Sequence, residues 1–270
     1  MERYHSFKRL IATRFQKALS SYEDNALAQK EAVKELIDNL LNIIPKGTII
    51  PQVLEIGCGT GLLSRKIVEV FQIKNYTLND LFEDAITIAK EQIEKDTTCH
   101  LICQDAETLD LPKEQYNLIV SSSAIQWFKN PPLFFDNMSK SLAKDGLLAI
   151  STYAPGTMKE FSTLTGKGLI YPKIEELKEM LSKKYDLLKM YQREIVIPFD
   201  SPYEVLKHIK HTGVSANNTL EDLNFWTPSK LKSFVNQYQN EYKIEGTSKV
   251  SLTYKPIFIL AKHKKKLASH

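Results

Sequence analysis

Apolar positions along this chain keep two rhythms. Over residues 7–20 and 26–44 they recur at helical spacing, and the second stretch closes on Pro45-Lys46-Gly47, so two leading helices are predicted. From Val53 onward, short apolar runs alternate with helical spacing. The runs over 53–56, 75–79, 99–104, 116–121 and 147–152 read as strands, and the stretches over 62–71, 131–143 and 174–181 as helices. Residues 185–199 predict a sixth strand. The pattern turns helical over 201–246, with Pro202 and Pro228 placed like first-turn prolines, before 248–262 alternates as a last strand. Strands separated by helices predict a doubly wound α/β fold, with no internal repeat or low-complexity linker.

The candidate chemistry begins where the first strand ends, in Val53-Leu-Glu-Ile-Gly-Cys-Gly-Thr-Gly61. Gly57, Gly59 and Gly61 let a ligand approach the main chain without meeting a Cβ. Glu55 stands near the strand's carboxyl end, where open α/β sheets bind ligands. A carboxylate there favours a cationic ligand over a phosphate. No Gly-Lys-Ser/Thr follows, and Leu62 occupies the place of a dinucleotide fingerprint's third glycine. Asp80 closes the second strand, where an acid takes two ribose hydroxyls, and Leu81 beside it offers a purine an apolar face. The third strand ends at Asp105-Ala106-Glu107, which suits an exocyclic amine, and the fourth ends in Ser121-Ser122-Ser123.

Through Glu55-Ile-Gly57-Cys-Gly59-Thr-Gly61, Asp80-Leu81, Asp105-Ala106-Glu107 and Lys144-Asp-Gly146-Leu-Leu-Ala-Ile150, the chain resembles the class I S-adenosylmethionine-dependent methyltransferases over roughly residues 50–155. The resemblance implies a Rossmann-like, mostly parallel sheet of seven strands, the last antiparallel. It implies S-adenosyl-L-methionine as cofactor and S-adenosyl-L-homocysteine as product. Carried over by position, Gly57, Cys58 and Gly59 lie against the methionine part and Glu55 near its ammonium. Asp80 takes the ribose, Leu81 the adenine, Asp105 with Ala106 the adenine edge, and Ser121 completes the set. The sequence departs from the family in Phe82-Glu83-Asp84, where a serine-proline helix start is expected. The implied division is N-terminal helices (1–48) over the cofactor site, an α/β core (49–200), a helical lid (201–246), and a last strand with basic tail (247–270), all in one domain.

Composition adds exclusions. Of 270 residues, 43% are hydrophobic and 25% charged, as in ordinary soluble proteins. No apolar run reaches the ~18 residues of a membrane span, and the polar start lacks a signal peptide's apolar centre, so a cytoplasmic protein off the membrane is expected. A net charge of +4 falls short of the basic stripe of nucleic-acid binders. The three cysteines, Cys58, Cys99 and Cys103, read as buried small hydrophobes. His208 and His211 have no third ligand nearby, so no metal site is expected. Ser121–Ser123 lack a nucleophile elbow.

The flanks narrow the family. Tyr22-Glu-Asp-Asn-Ala26-Leu-Ala-Gln29, Ser122-Ser-Ala-Ile-Gln126-Trp127, Ser151-Thr-Tyr-Ala-Pro-Gly-Thr157 and His211-Thr-Gly-Val-Ser-Ala-Asn217 resemble the malonyl-acyl-carrier-protein O-methyltransferases of biotin synthesis. That resemblance implies an acyl carrier protein bearing a malonyl thioester, or malonyl-coenzyme A, as partner. A carboxylate is already ionised at neutral pH, so no general base is called for. Catalysis then rests on alignment, which supplies roughly 7 to 11 kcal/mol, in a water-poor pocket. Tyr22 and Gln126 are the expected orienting donors and Trp127 a wall, with Tyr171 and His211 as further substrate contacts. Gln29 has an alternative as a turn cap. Lys183, Lys184, Lys207, Lys210, Arg9 and Arg14 are candidates for a basic face toward an acidic carrier. Three other readings stay open: a quinone C-methyltransferase, a small-carboxylate O-methyltransferase using Arg193, and a non-catalytic cofactor-binding module.

Overall fold

The computed structural model describes residues 23, 25–93, 95–212 and 226–264. The helix predicted over 7–20, Tyr22, Arg9, Arg14, the end of the motif from Gly213 and the last basic residues lie outside them. In order, the elements are α1 (Leu27–Leu41), β1 (Ile49–Ile56), α2 (Leu62–Val70), β2 (Gln72–Asp80), α3 (Glu83–Lys90), β3 (Thr98–Cys103) and β4 (Tyr116–Ser122). They continue as α4 (Pro131–Ser141), β5 (Leu142–Tyr153), α5 (Lys159–Thr165), α6 (Ile174–Ser182), β6 (Tyr185–Gln192) and β7 (Ile195–Phe199). The last are α7 (Pro202–His211), α8 (Pro228–Glu241), β8 (Val250–Tyr254) and β9 (Pro256–His263). Among the described residues no helix is long and apolar enough to cross a membrane.

The chain forms two compact units, a core of residues 29–154, 172–192 and 256 onward, and an insertion built from residues 155–171 and 193–255 with the residues up to 28. The core holds a seven-stranded sheet in the order β3-β2-β1-β4-β5-β9-β6. Strands β1 to β5 are parallel, while β9 runs antiparallel to both β5 and β6. One face packs Ala32, Val33, Leu36 and Leu40 of α1 with Leu62, Leu63 and Ile67 of α2 against Val53, Leu118 and Leu260. The other packs Phe134, Phe135 and Met138 of α4 with Leu177 and Leu181 of α6 against Ile119, Leu148 and Ile259. Each such side chain, fully buried, contributes about 1.5 to 3 kcal/mol. The sheet is therefore doubly wound, as the alternation predicted.

Two predicted strands each prove to be two. Residues 185–199 break at Arg193-Glu194, and 248–262 break at Lys255, so β7 pairs with β8 in a separate sheet. Both breaks coincide with the chain's passage between the units, at residues 192–193 and 255–256. Alternation of apolar positions is blind to such a change of sheet, because it reports one buried face and not which neighbour covers it. The expected prolines stand in the first turns of α7 and α8, where Ser201 and Thr227 side chains accept from the backbone N–H of Glu204 and Lys230.

The insertion is tied by polar groups. Buried Glu160 accepts from Thr253 N at 3.0 Å and from the Thr253 hydroxyl, and His208 Nε2 meets Tyr254 Oη at 2.7 Å. Tyr238 Oη donates to the Ser251 carbonyl at 2.7 Å.

Candidate active site

The carboxyl ends of β1, β2 and β3 are stitched into one surface. Gly57 N and Cys58 N both donate to the Asn79 carbonyl, at 2.8 and 3.0 Å, and Gly59 N donates to Asp80 Oδ2 at 2.9 Å. Asn79 Nδ2 in turn donates to the carbonyls of Ile102 and Gln104 at 3.0 and 2.9 Å. Gly57 has φ +67°, and a Cβ there would fall 2.5 Å from the Ala124 Cβ, so the loop after β1 and the turn after β4 approach too closely for any side chain.

Within that surface each acid is also tied into the protein itself. Glu55 is 1% exposed, and its Oε2 accepts from Ser64 Oγ and Tyr76 Oη, both at 2.6 Å. Burial pushes its carboxyl up to about 7, against the pull of those two hydrogen bonds and with a smaller push from Asp80. It lies almost wholly buried near the end of β1, with Oε2 committed to those two hydroxyls. Asp80 accepts from Gly59 N and Phe82 N, and burial raises it to about 6 although these N–H groups oppose the shift. Asp105 accepts from Glu107 N at 3.1 Å, capping a short turn over Ala106–Thr108, with Ala106 buried in it. Leu81, by contrast, is 38% exposed, a large apolar side chain left open beside Asp80, which suits a stacked base.

The Ser121 expectation needs correction. Its hydroxyl is fully buried and donates to the Ile56 carbonyl at 2.9 Å, joining β4 to β1 and leaving nothing of the side chain for a ligand. Further along, Ser123 takes φ +58°, its carbonyl accepts from Gln126 Nε2 at 2.5 Å, and Thr152 Oγ1 donates to Gln126 Oε1 at 3.4 Å. The Gln126 amide is thus held at both ends with one N–H left over. Trp127 follows it in the same turn, half-buried.

Thr60 does not stand out in the sequence. It is buried, and its Oγ1 has no hydrogen-bond partner, a condition that costs about 1 to 3 kcal/mol unless a ligand meets it. The only sequence signal was a hydroxyl residue between two glycines of the loop. An orphaned hydroxyl, left-handed glycines, an open leucine and buried acids together fit a cationic nucleoside held along these strand ends.

Tyr171 and His211 belong to the insertion. Tyr171 lines a cleft of about 300 Å³ with Met158, Phe161, Lys167 and Ile209, and His211 Nδ1 lies 3.4 Å from Asn25 Nδ2. Among the described residues no cluster could hold a metal ion, and His208 is committed to Tyr254. Lys183 and Lys184 precede β6 at the amino ends of the parallel strands, paired with Glu179 and Asp136. They therefore stand at the end of the core sheet opposite the glycine loop. Of the cysteines only Cys58 is buried; Cys99 is half-buried and Cys103 exposed.

Comparison with known proteins agrees with this geometry. The family profile described as a methyltransferase domain matches residues 54–150. A malonyl-[acyl-carrier protein] O-methyltransferase of Bacteroides thetaiotaomicron is 39% identical over 96% of this chain and 99% of its own length. Another, from Haemophilus influenzae, is 34% identical over 95% of each. Among solved structures, the YcgJ protein of Bacillus subtilis has a TM-score of 0.61 at 14% identity, covering 86% of this chain and 100% of that one. The N-methyltransferase NodS of Bradyrhizobium japonicum, in complex with S-adenosyl-L-homocysteine, has a TM-score of 0.56 at 14% identity, covering 97% and 98%. The chain belongs to the malonyl-[acyl-carrier protein] O-methyltransferase family of class I methyltransferases.

Proposed function

We propose that this protein methylates the free carboxylate of a malonyl thioester carried on acyl carrier protein, in the cytoplasm, as an early step of biotin synthesis. The observation that carries the reading is the strand-end surface, where an unpartnered Thr60 hydroxyl and two buried acids await a ligand that supplies donors and positive charge. The acceptor is that of the malonyl-[acyl-carrier protein] O-methyltransferases this chain resembles.

S-adenosyl-L-methionine supplies a methyl group on a cationic sulfur. Gly57, Cys58, Gly59 and Thr60 would hold its amino-acid end, Asp80 its ribose, and Leu81, Asp105 and Ala106 its base. Glu55, whose protonation costs most when a cation sits above it, contributes field from below the loop. The malonyl carboxylate is ionised at neutral pH, so its oxygen takes the methyl with no proton to remove. The remaining Gln126 N–H orients that carboxylate, and Trp127 keeps water away from two opposite charges that vanish together. Tyr22 is assigned as a second orienting donor. Tyr171 and His211 are assigned to the thioester arm, which the apolar cleft of the insertion suits.

Purified protein, methyl-labelled cofactor and separate malonyl-carrier, malonyl-coenzyme A, aconitate and quinone-precursor acceptors, read by mass, test the proposal. A labelled methyl ester on the malonyl thioester is expected. Label on a ring carbon or on aconitate alone overturns the acceptor.

A further inference from the structure

One buried polar group in the core has no role in the site as described. Gln29, in the first turn of α1, is 5% exposed, and its Oε1 has no hydrogen-bond partner. It shares the buried stripe of α1 with Val33, Leu36 and Leu40, so it faces inward and not to solvent. The sequence left it the alternative of a turn cap, and the structure gives that Oε1 no backbone N–H to cap.

The framework fixes which end of the sheet Gln29 faces. Lys189 Nζ donates to Asn39 Oδ1 at 2.6 Å, Asn39 Nδ2 donates to Tyr191 Oη at 2.8 Å, and Tyr191 Oη donates to Glu35 Oε1 at 2.6 Å. Moving up β6 from Lys189 to Tyr191 therefore moves backward along α1 from Asn39 to Glu35. Through the ladders, Tyr191 is level with Phe258, Ser151 and Ser122, one step past Ile56, which is the level of Gly57. Gln29 lies six residues further back, about 9 Å beyond that level at 1.5 Å per residue. The same apolar cluster joins α1 to Cys58, Leu62 and Leu63 at the glycine loop.

The geometry points to Gln29 as the acceptor for the ammonium of the cofactor's methionine end, its Oε1 receiving an N–H that nothing in the protein provides. This rests on the cofactor reading above and deepens it. Glu55 already commits its Oε2 to Ser64 and Tyr76 beneath the loop, so Gln29 Oε1 adds an acceptor from α1. A neutral amide oxygen accepts the ammonium without burying a second full charge beside Glu55 and Asp80.

Calorimetry with two ligands separates the possibilities. S-adenosyl-L-homocysteine keeps the ammonium, and methylthioadenosine lacks the whole amino-acid end. Gln29→Leu is expected to weaken S-adenosyl-L-homocysteine by about 10- to 100-fold, the worth of a hydrogen bond to a charged group, and to leave methylthioadenosine unchanged. Gln29→Glu, which keeps an acceptor, should retain the tighter ligand to within a few-fold. Equal losses for both ligands in Gln29→Leu, no loss for either, or a Gln29→Glu protein as weak as Gln29→Leu would each overturn the assignment. Retained methylthioadenosine binding also certifies that the variants are folded. If the unaltered protein binds neither ligand, it is the cofactor reading itself that fails.

Discussion

The core and the insertion both bury ionisable and polar side chains, but they treat them differently. In the insertion, Glu160 receives the Thr253 backbone and hydroxyl, and His208 is paired with Tyr254. At the strand ends of the core, Thr60 and Gln29 keep unpartnered oxygens, and burial lifts Glu55 and Asp80 far above the usual carboxylate range. A satisfied buried network holds a fold together; an unsatisfied one stores a cost that a ligand removes. On the proposed reading, that difference separates the unit whose strand ends take the cofactor from the one whose buried acid and histidine serve the fold.

The largest effect that tests this contrast should come from Glu160→Ala. It strands two buried donors of Thr253, and about 4 kcal/mol of stability should be lost in urea titration, with S-adenosyl-L-homocysteine affinity changed less than about threefold. Comparable loss of binding would erase the distinction between the units.

Next in size are opposite responses to pH. Glu55 rises from 4.5 to about 7 on folding, so the folded state holds the extra proton, and stability present below pH 4.5 is lost as pH climbs through 7, by about 3 kcal/mol. His208 falls from 6.5 to about 4, chiefly by burial, so its contribution is complete above pH 6.5 and lost as pH drops toward 4, again by about 3 kcal/mol. The chain's two tryptophans, Trp127 in the core and Trp226 in the insertion, allow each unit to be followed by fluorescence in single-tryptophan variants. Parallel pH profiles from the two reporters would contradict the assignment. A cationic ligand should also bind about fivefold more tightly at pH 7 than at pH 6, because Glu55, with a pKa of about 7, must shed its proton.

Asp80→Asn should weaken S-adenosyl-L-homocysteine by about 2 kcal/mol, roughly 30-fold, while the melting temperature without ligand holds or rises. Smallest is Ser121→Ala, expected to cost about 1 kcal/mol of stability through the lost bond to Ile56 and to leave ligand affinity alone. A large affinity loss in Ser121→Ala would restore it to the cofactor set.

Much of the core was legible because its signals are local. A glycine loop after an apolar run and acids at Asp80 and Asp105 declare themselves within a few residues, as do the prolines opening α7 and α8 in the insertion. The placement of charges was less legible. Nothing near Glu55 announces that Ser64 and Tyr76 will enclose it, since the first comes from the next helix and the second from the neighbouring strand. Lys183 and Lys184 read as part of a partner face, and only the start of β6 puts them at the end of the core sheet opposite the glycine loop.

The order of residues by itself determined the doubly wound sheet, the glycine loop and the family, since periodicity and short motifs depend on neighbours along the chain. Only the tertiary structure decided that residues 193–255 belong to a second unit with its own sheet, that Ser121 is a strut, and that the Thr60 hydroxyl and Gln29 Oε1 are buried without partners. Those are properties of what lies across space from a side chain, and burial and hydrogen-bond saturation take their values only when distant segments close around it.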